Sequence, residues 1–585
     1  MKHFRDILSK LYQTGSILWI FPILLIIPNA ILCVTESMTW SAAIANVALP
    51  LGVYYVLMSL SPNVGRSILL LFPLIFFAAF QIVLLSLYGQ SIIGVDMLLN
   101  VVTTNSGEVA ELLDNLIAPM TAVVVLYVVP LVLGVVFIIK RRRVAAGSLR
   151  QCRTAGVTIA ATGIAAMCVS YASTPYYSVG TDLFPVNVAY NVGTAVRRTI
   201  RTNNYYESSK DFRYDATSSH DPSRKEVYVM VIGETGRAQN WQLFGYNRET
   251  TPRLCASDGL IGYSRALTES NTTHKSVPML MSTLSAENYD SIYSWKCIIS
   301  AFKEAGFQTA FLSMQRYNHS FIDFFGMEAD TTDFIRECSP KDTMLYDEDL
   351  LAAAYRFIET AKKPKVLVVL HTYGSHFNYR ERYPASFAYF IPDDAPEADH
   401  RFRQRLINAY DNTIRYTDHL LGELTEYLDS LPDTDCALIY TSDHGEDIFD
   451  YGSNRFLHAS PVPTYHQLHV PMILWMSETY RAHYPEKWNN AYSHRNLNIS
   501  TSESMANSLL DIAGINTRYC DPAKAVCNQS YIEPIRVYLQ ARTEAIPLQR
   551  AGLKKIDLEL LEVNKLINTS DGNITQSFPK IFLHN

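Results

Sequence analysis

The sequence predicts an α/β protein in two parts: an N-terminal transmembrane domain of five helices, then an α/β domain with a mostly parallel central sheet. Of the 585 residues, 48% are hydrophobic and only 18% are charged, which is typical of a membrane part joined to a globular part. The apolar residues concentrate before about 174, and short β-rich runs begin at about 225. We therefore predict a transmembrane domain at 1–174, a polar connector at 175–224 and a large second domain at 225–585.

The first part contains five apolar runs, each close to the ~20 residues that a helix needs to cross a bilayer. They fall within roughly 15–35, 42–61, 67–89, 119–140 and 155–173. A cleaved signal peptide is the alternative for the first run, but that run is long and four more follow it. Five crossings would place the two chain ends on opposite sides of the membrane.

Basic residues in the short connections indicate which side is cytoplasmic. They precede the first run, lie between the second and third, and fill the fourth connection: Lys2, Arg5, Lys10, Arg66, Lys140, Arg141, Arg142, Arg143, Arg150 and Arg153. The loop at about 90–118 has no Lys or Arg, so it belongs to the outer side. The domain that follows the fifth run is expected on that same side, away from cytoplasmic ATP.

Charge and cysteine content restrict the remaining possibilities. The formal net charge is only -6 and no basic stripe interleaved with aromatic residues is present, so nucleic acid is excluded as a partner. Among nine cysteines, Cys520 and Cys527 are the closest candidates for a disulfide in an exported domain. Free buried thiols are an equally good interpretation of the other cysteines.

Five β-rich runs in the second part predict the strands of the sheet. They are 225–235, 307–313, 364–376, 435–447 and 469–475. Three of these runs end in polar clusters, which are Glu234 with Thr235, His371 to His376, and Asp443 with His444. Because catalytic and binding groups in open α/β sheets gather beyond the carboxyl ends of strands, these clusters are expected to meet.

Glu234, Asp443 and His444 supply the oxygen and nitrogen ligands that suit zinc, with manganese or magnesium less favoured by the imidazole. A hydroxyl from elsewhere would complete a tetrahedron. A cation beside a hydroxyl stabilises its alkoxide, so that hydroxyl becomes a nucleophile near neutral pH. Taken singly, the Glu fits a solvated loop and the Asp-His pair fits a capped turn; their occurrence together at strand ends favours a metal site.

Five motifs occur in order along the chain: GETGR at 233–237, NTTHKSVP at 271–278, HTYGSH at 371–376, SDHGED at 442–447 and LHAS at 457–460. With these motifs the sequence resembles the lipid A phosphoethanolamine transferases of Gram-negative bacteria, which belong to the alkaline phosphatase and sulfatase-like superfamily. The resemblance covers nearly the whole chain. It implies an alkaline phosphatase-like fold for the second domain, and a multi-pass protein of the bacterial inner membrane whose catalytic domain lies in the periplasm.

The resemblance also implies a site. It predicts that Glu234, Thr273, Asp443 and His444 bind Zn2+ and that Thr273 is the nucleophile that becomes modified by phosphoethanolamine. Thr273 lies 39 residues after Glu234 and five before Pro278. Its neighbour Thr272 is the competing choice.

Two further groups of residues match family positions near the substrate. His376 and His458 match histidines close to the phosphate or to a second metal, and are predicted to serve in catalysis and substrate binding; ordinary loop histidines are the alternative. In the outer loop, Asn100, Thr104 and Glu108 match residues that help to place the ethanolamine end of the substrate. A solvated amphipathic segment is the plainer interpretation of that loop.

The predicted reaction transfers phosphoethanolamine from phosphatidylethanolamine to a phosphate of lipid A through a covalent threonine intermediate. A phosphoglycerol or glycan-directed phosphoethanolamine transferase of the same superfamily is one alternative, and an inactive membrane-anchored scaffold that binds lipid is another. The chain lacks the cysteines that often bracket the nucleophile in the family. A family lysine is also replaced, with Gln315, Arg316 and His319 nearby. The oligomeric state is open, and a monomer is expected.

Overall fold

The structure is a computed structural model that describes residues 14–35, 38–88, 93–95, 117–173, 177–338, 344–460, 462–540 and 543–567. It divides into two units, Met1–Thr199 and Ile200–Asn585. The boundary between the units falls inside the predicted connector, which contains the helix Val186–Asn203.

Apolar helices form the first unit. Among the described residues, four helical spans are long and apolar enough to cross a membrane: Gly15–Thr35, Trp40–Met58, Pro119–Ile139 and Ala146–Ser173. Val64–Leu70 and Phe72–Leu85 meet at a bend of 59°, and give a fifth span if they count as one. The five predicted runs thus coincide with four or five candidate spans.

Small residues let two of these spans approach closely. A Cβ atom added to Gly52 of Trp40–Met58 would lie 2.6 Å from the carbonyl oxygen of Gly156 in the facing helix. One added to Gly163 would lie 2.4 Å from the backbone nitrogen of Leu49. Without a hydrophobic driving force between helices in lipid, such backbone contact is a main source of helix association.

The helices of the two units range in length from 4 to 28 residues. Those of the first unit are Thr14–Leu25, Ile27–Thr35, Trp40–Met58, Val64–Leu70, Phe72–Tyr88, Ile117–Val123, Val129–Ile139, Ala146–Ser173, Val179–Asp182 and Val186–Asn203. Those of the second are Tyr205–Ser209, Pro252–Ala256, Thr273–Leu280, Ile298–Glu304, Phe321–Gly326, Ile335–Cys338, Asp349–Thr360, Arg403–Asp429, Tyr465–Leu468, Glu478–His483, Pro485–Ser493, Thr501–Ile512 and Lys555–Val563.

A seven-stranded sheet forms the centre of the second unit, with strand order β3-β11-β8-β2-β7-β5-β6. Its strands are β2 (Lys225–Gly233), β3 (Leu260–Tyr263), β5 (Gln308–Ser313), β6 (Thr331–Phe334), β7 (Lys365–His371), β8 (Thr434–Ser442) and β11 (Met472–Met476). The other strands form short two-stranded sheets. They are β1 (Thr217–Ser218), β4 (Ala266–Leu267), β9 (Asp447–Ile448), β10 (Phe456–Leu457), β12 (Ile499–Ser500), β13 (Ile515–Asn516), β14 (Val537–Leu539) and β15 (Ala545–Pro547).

The sheet is mixed but mostly parallel, as predicted. From β8 through β2, β7 and β5 to β6, neighbouring strands are parallel, whereas β11 is antiparallel to both β8 and β3. All five predicted β-rich runs contain a sheet strand. The edge strands β3 and β6 were missed because each has only four residues and is partly exposed, so neither shows a continuous apolar run.

Strand β2 explains why the central runs are apolar throughout. Side chains alternate along a strand, and Tyr228, Met230 and Ile232 pack in the hydrophobic core on one face of the sheet. Val229 and Val231 pack in the core on the other face. Since both faces are covered, neither set of side chains can be polar.

The proposed cysteine pair is not bonded. Cys520 and Cys527 are both free thiols, and no disulfide occurs among the residues that the structure describes. Cys527 is fully buried, which fits the alternative of a small apolar side chain.

Candidate active site

The register of the parallel strands brings three polar clusters to one edge of the sheet. Gly233 at the end of β2 pairs with Ser442 at the end of β8, and Ile232 pairs with His371 at the end of β7. The residues that follow these ends, Glu234 and Asp443 among them, therefore lie side by side. The sequence predicted that these polar clusters would lie close together at the strand ends.

The helix Thr273–Leu280 brings a hydroxyl to the same edge. Its first turn is attached to the end of β8, because Ser276 Oγ donates a hydrogen bond of 2.6 Å to the carbonyl oxygen of Asp443. Thr273 Oγ1 lies 3.0 Å from His444 Nε2 and 3.4 Å from Glu234 Oε1. The hydroxyl of Thr272 instead lies 3.1 Å from that of Ser270. The geometry thus singles out one of the two adjacent threonines.

The four predicted ligands have spacings that suit a small cation. His444 Nε2 lies 3.2 Å from Asp443 Oδ2 and 3.7 Å from Glu234 Oε1. A tetrahedral zinc site with bonds of 2.0–2.1 Å would separate its ligand atoms by about 3.3 Å. Asp443 Oδ2 is buried and has no hydrogen-bond partner among the described residues, so a cation there would satisfy it. The residues present therefore fit zinc.

Neighbouring groups orient two of these ligands. Asp443 Oδ1 accepts hydrogen bonds from the backbone amides of Thr235 (3.1 Å) and His444 (2.7 Å), which leaves Oδ2 for the cation. His444 Nδ1 lies 3.0 Å from the carbonyl oxygen of Gly445. A proton on Nδ1 for that bond leaves the lone pair of Nε2 facing the site.

Burial makes the site unfavourable for uncompensated charge. It raises the pKa of Glu234 well above its usual range, with the charge of Asp443 adding to the effect, and it raises the pKa of Asp443 to about 6. Burial also lowers the pKa of His444 well below its usual value. A divalent cation among these groups would favour the ionised carboxylates and the neutral imidazole, which are the forms that bind metals.

The two predicted histidines lie beside the ligand set. The ring centroid of His458 is 4.1 Å from that of His444 and 6.1 Å from that of His376. A carboxylate oxygen of Glu234 and one ring nitrogen each of His444 and His458 lie within 4.8 Å of one another, so His458 could also contact a cation. Burial lowers the pKa of His376 to about 3, which favours its neutral imidazole.

Other predicted residues stand apart from this cluster. His371 is buried at the sheet edge, where its Nδ1 lies 3.2 Å from Ser313 Oγ. Asn100, Thr104 and Glu108 lie outside the described residues. Their roles, and those of Glu234, Thr273, Asp443, His444, His376 and His458, remain predictions.

The sequence analysis missed Glu446. Its side chain is fully buried, and neither of its carboxylate oxygens has a hydrogen-bond partner among the residues described here. Glu446 Oε2 lies 3.8 Å from His458 Nδ1. The signal was its place within SDHGED, two residues after His444.

A mostly parallel α/β sheet that carries two carboxylates, an imidazole and a threonine hydroxyl at its strand ends defines a protein of the alkaline phosphatase-like class. The comparison with protein families agrees, since residues 226–515 match the family described as Sulfatase. The second unit therefore contains a Sulfatase, alkaline phosphatase-like, domain.

Within that class the chain is similar to phosphoethanolamine transferases. It is 29% identical over 315 residues to phosphoethanolamine transferase EptA of Escherichia coli K12, which covers 51% of this chain and 55% of the relative. It is 30% identical over 286 residues to the Kdo(2)-lipid A phosphoethanolamine 7''-transferase of the same strain, covering 48% of each chain. The chain thus spans about half the length of the curated relatives it matches.

Solved structures confirm the fold. The integral membrane lipooligosaccharide phosphoethanolamine transferase A of Neisseria meningitidis superposes with a TM-score of 0.70 at 22% identity, covering 89% of this chain and 99% of that one. The C-terminal periplasmic domain of EptC from Escherichia coli, in complex with Zn, gives a TM-score of 0.52 at 23% identity, covering 57% of this chain and 95% of that domain. The architecture of N-terminal apolar helices followed by an alkaline phosphatase-like domain is therefore shared.

Proposed function

We propose that the protein transfers phosphoethanolamine from phosphatidylethanolamine to a phosphate of lipid A. The observation that carries this proposal is the convergence of Thr273 Oγ1 on Glu234 and His444, with Asp443 completing the set. A hydroxyl at a potential metal site is the arrangement expected of a phosphotransfer nucleophile. The names of the similar proteins support phosphoethanolamine as the group and lipid A as the acceptor.

Glu234, Thr273, Asp443 and His444 are proposed to hold Zn2+. The bound ion would favour the ionised form of the threonine hydroxyl and neutralise charge on the phosphoryl oxygens. The solved Zn complex of a similar domain supports this choice of metal.

The chain's own residues would then act in two steps. Thr273 Oγ1 attacks phosphorus, the bond to the diacylglycerol oxygen breaks, and that oxygen takes up the proton that Thr273 gives up. In the second step an oxygen of the acceptor phosphate attacks the same phosphorus, the bond to Thr273 Oγ1 breaks, and Oγ1 takes up the proton that the acceptor phosphate gives up. His376 and His458 lie beside the ligand set, which supports a role for both in hydrogen-bonding the phosphoryl group and for His458 in carrying these protons.

The two lipid substrates account for the membrane part. Both would present their head groups from the outer leaflet of the bacterial inner membrane to a catalytic domain in the periplasm. The candidate spans in Met1–Thr199 support this location. An inactive scaffold would have no need for a buried carboxylate oxygen that lacks a hydrogen-bond partner among the described residues, such as Asp443 Oδ2.

Mass spectrometry of lipid A tests the proposal. Cells that express the protein should contain lipid A with an added phosphoethanolamine, whereas cells that express Thr273→Ala at equal abundance should not. Phosphoethanolamine or phosphoglycerol on another glycan, with lipid A unchanged, would favour the alternative acceptor instead.

A further inference from the structure

A row of ring-bearing side chains runs from the candidate metal centre to the guanidinium of Arg336. His458 lies next to His444, and His376 lies next to His458. The ring of Tyr373 stacks on that of His376 with 5.3 Å between centroids and an angle of 17°. The guanidinium carbon of Arg336 then lies 4.4 Å from the centroid of the Tyr373 ring.

Arg336 differs from the other polar side chains nearby because, among the described residues, its guanidinium has no ion pair or hydrogen bond. Arg316 pairs with Glu337 at 3.6 Å, and the amide of Gln315 donates a hydrogen bond of 3.1 Å to the carbonyl oxygen of Thr372. Arg382 Nε donates to the carbonyl oxygen of His376 at 3.0 Å. Within the described part of the chain, Arg336 makes no ion pair or hydrogen bond of its side chain, so its five donors are available.

The surroundings hold Arg336 in place without neutralising it. Asp347, whose carboxyl is within electrostatic range of Arg336, is buried and uses one oxygen for the amide of Tyr373 (2.7 Å) and the other for the amide of Gly374 (2.8 Å). Those two bonds fix the loop that carries Tyr373. The aromatic face then attracts the guanidinium through a cation–π contact, which leaves its N–H groups free at the edges.

We propose that Arg336 binds an anionic group of the acceptor, a phosphate or a carboxylate that is not the reacting phosphate. This inference rests on the proposed function. Phosphatidylethanolamine has a single phosphate, and that phosphate must sit at Thr273 to react. An acceptor with several anionic groups keeps at least one that does not react and can bind elsewhere. Guanidinium recognises phosphate and carboxylate in a bidentate manner. Arg336 would therefore act on the second step and not on the first.

The test uses the full chain in phosphatidylethanolamine vesicles and compares Arg336→Gln with the control Arg316→Gln. Without acceptor, the release of diacylglycerol in the first turnover measures the donor step. This release should be unchanged in both variants. With acceptor, Arg336→Gln should raise the acceptor KM about 10- to 100-fold, the loss expected for a charge-assisted hydrogen bond. Arg316→Gln should change it less than about threefold.

Three acceptors identify the anionic group. They are monophosphoryl lipid A, bisphosphoryl lipid A, and bisphosphoryl lipid A that carries acidic sugars. If the ligand is a second phosphate, the wild type should prefer the second acceptor to the first; if it is a sugar carboxylate, the wild type should prefer the third to the second. In either case Arg336→Gln should lose the preference and Arg336→Lys should recover part of it.

Two results would overturn the role of Arg336. One is an unchanged acceptor KM and preference in Arg336→Gln, and the other is an equal loss of the donor step in Arg336→Gln and Arg336→Lys. A wild-type protein that releases no diacylglycerol would instead reject the proposed function itself, so the two failures are distinguishable.

Discussion

At the scale of single residues, Glu269 is a buried acid on the segment that leads to Thr273. Its Oε2 accepts a hydrogen bond of 2.7 Å from the amide of Ala286, and its Oε1 accepts one of 2.8 Å from Ser500 Oγ. The first of these bonds connects the segments that precede and follow the helix Thr273–Leu280. Burial, and secondly the charge of Glu503, raise the pKa of Glu269 to about 8.

This carboxyl should make the protein less stable as the pH rises. Its pKa is about 8 in the folded protein against a usual 4.5, so between these values the folded state keeps a proton that the unfolded state has released. Its contribution to stability is then complete below about pH 4.5 and is lost as the pH rises through 8. Glu269→Gln should remove that part of the decline, on the order of a few kcal/mol.

The measurement is thermal unfolding of the detergent-solubilised full chain from pH 5 to 8.5. Glu269→Ala serves as the control, because it leaves the amide of Ala286 without its partner and should cost about 1–3 kcal/mol throughout this range. If the stability of Glu269→Gln declines with pH as steeply as that of the wild type, the Glu269 carboxyl does not titrate as described.

At the scale of secondary-structure elements, the loop after β7 holds the end of β2 in position. The amide of Ser375 donates a hydrogen bond of 2.9 Å to the carbonyl oxygen of Glu234. Gly374 has φ of 52°, and a Cβ atom there would lie 2.6 Å from that same carbonyl oxygen. Only glycine therefore permits this approach to a predicted metal ligand.

Gly374→Ala should displace Glu234 and reduce lipid A modification at least tenfold, because the predicted ligand would move by several tenths of an ångström. Gly306→Ala is the control: Gly306 also has a positive φ, of 94°, but a Cβ atom there would meet nothing within 4 Å. That variant should lose about 1 kcal/mol of stability and keep its activity. Equal activity in the two variants would show that the close approach of Gly374 to Glu234 is not required for activity.

The predictability of these elements depended on their burial. Strands such as β2, with both faces covered, appear in the sequence as continuous apolar runs, and their polar ends located Glu234 and Asp443. The helix Thr273–Leu280 has no such pattern and contains Pro278, so its place came from the family resemblance alone. Arg336 could not be identified in advance, because its significance lies in a contact with Tyr373, a residue in a different segment of the chain.

At the scale of the whole molecule, the chain consists of an apolar helical unit followed by an alkaline phosphatase-like unit. The composition and the five apolar runs predicted this division, and the structure has candidate spans only before Thr199 within its described residues. The proposed roles of Asn100, Thr104 and Glu108 in the outer loop rest on the sequence alone, because these residues lie outside the described ranges. The central claim, however, concerns one oxygen atom in the second unit.

That claim is tested most directly by incubating the full chain with phosphatidylethanolamine vesicles in the absence of an acceptor and locating the adduct by peptide mass spectrometry. The covalent mechanism predicts phosphoethanolamine on Thr273, since its hydroxyl lies 3.0 Å from His444 Nε2 while that of Thr272 faces Ser270. Thr272→Ala should keep the adduct and Thr273→Ala should lose it. An adduct on Thr272, or transfer by Thr273→Ala, would contradict the account.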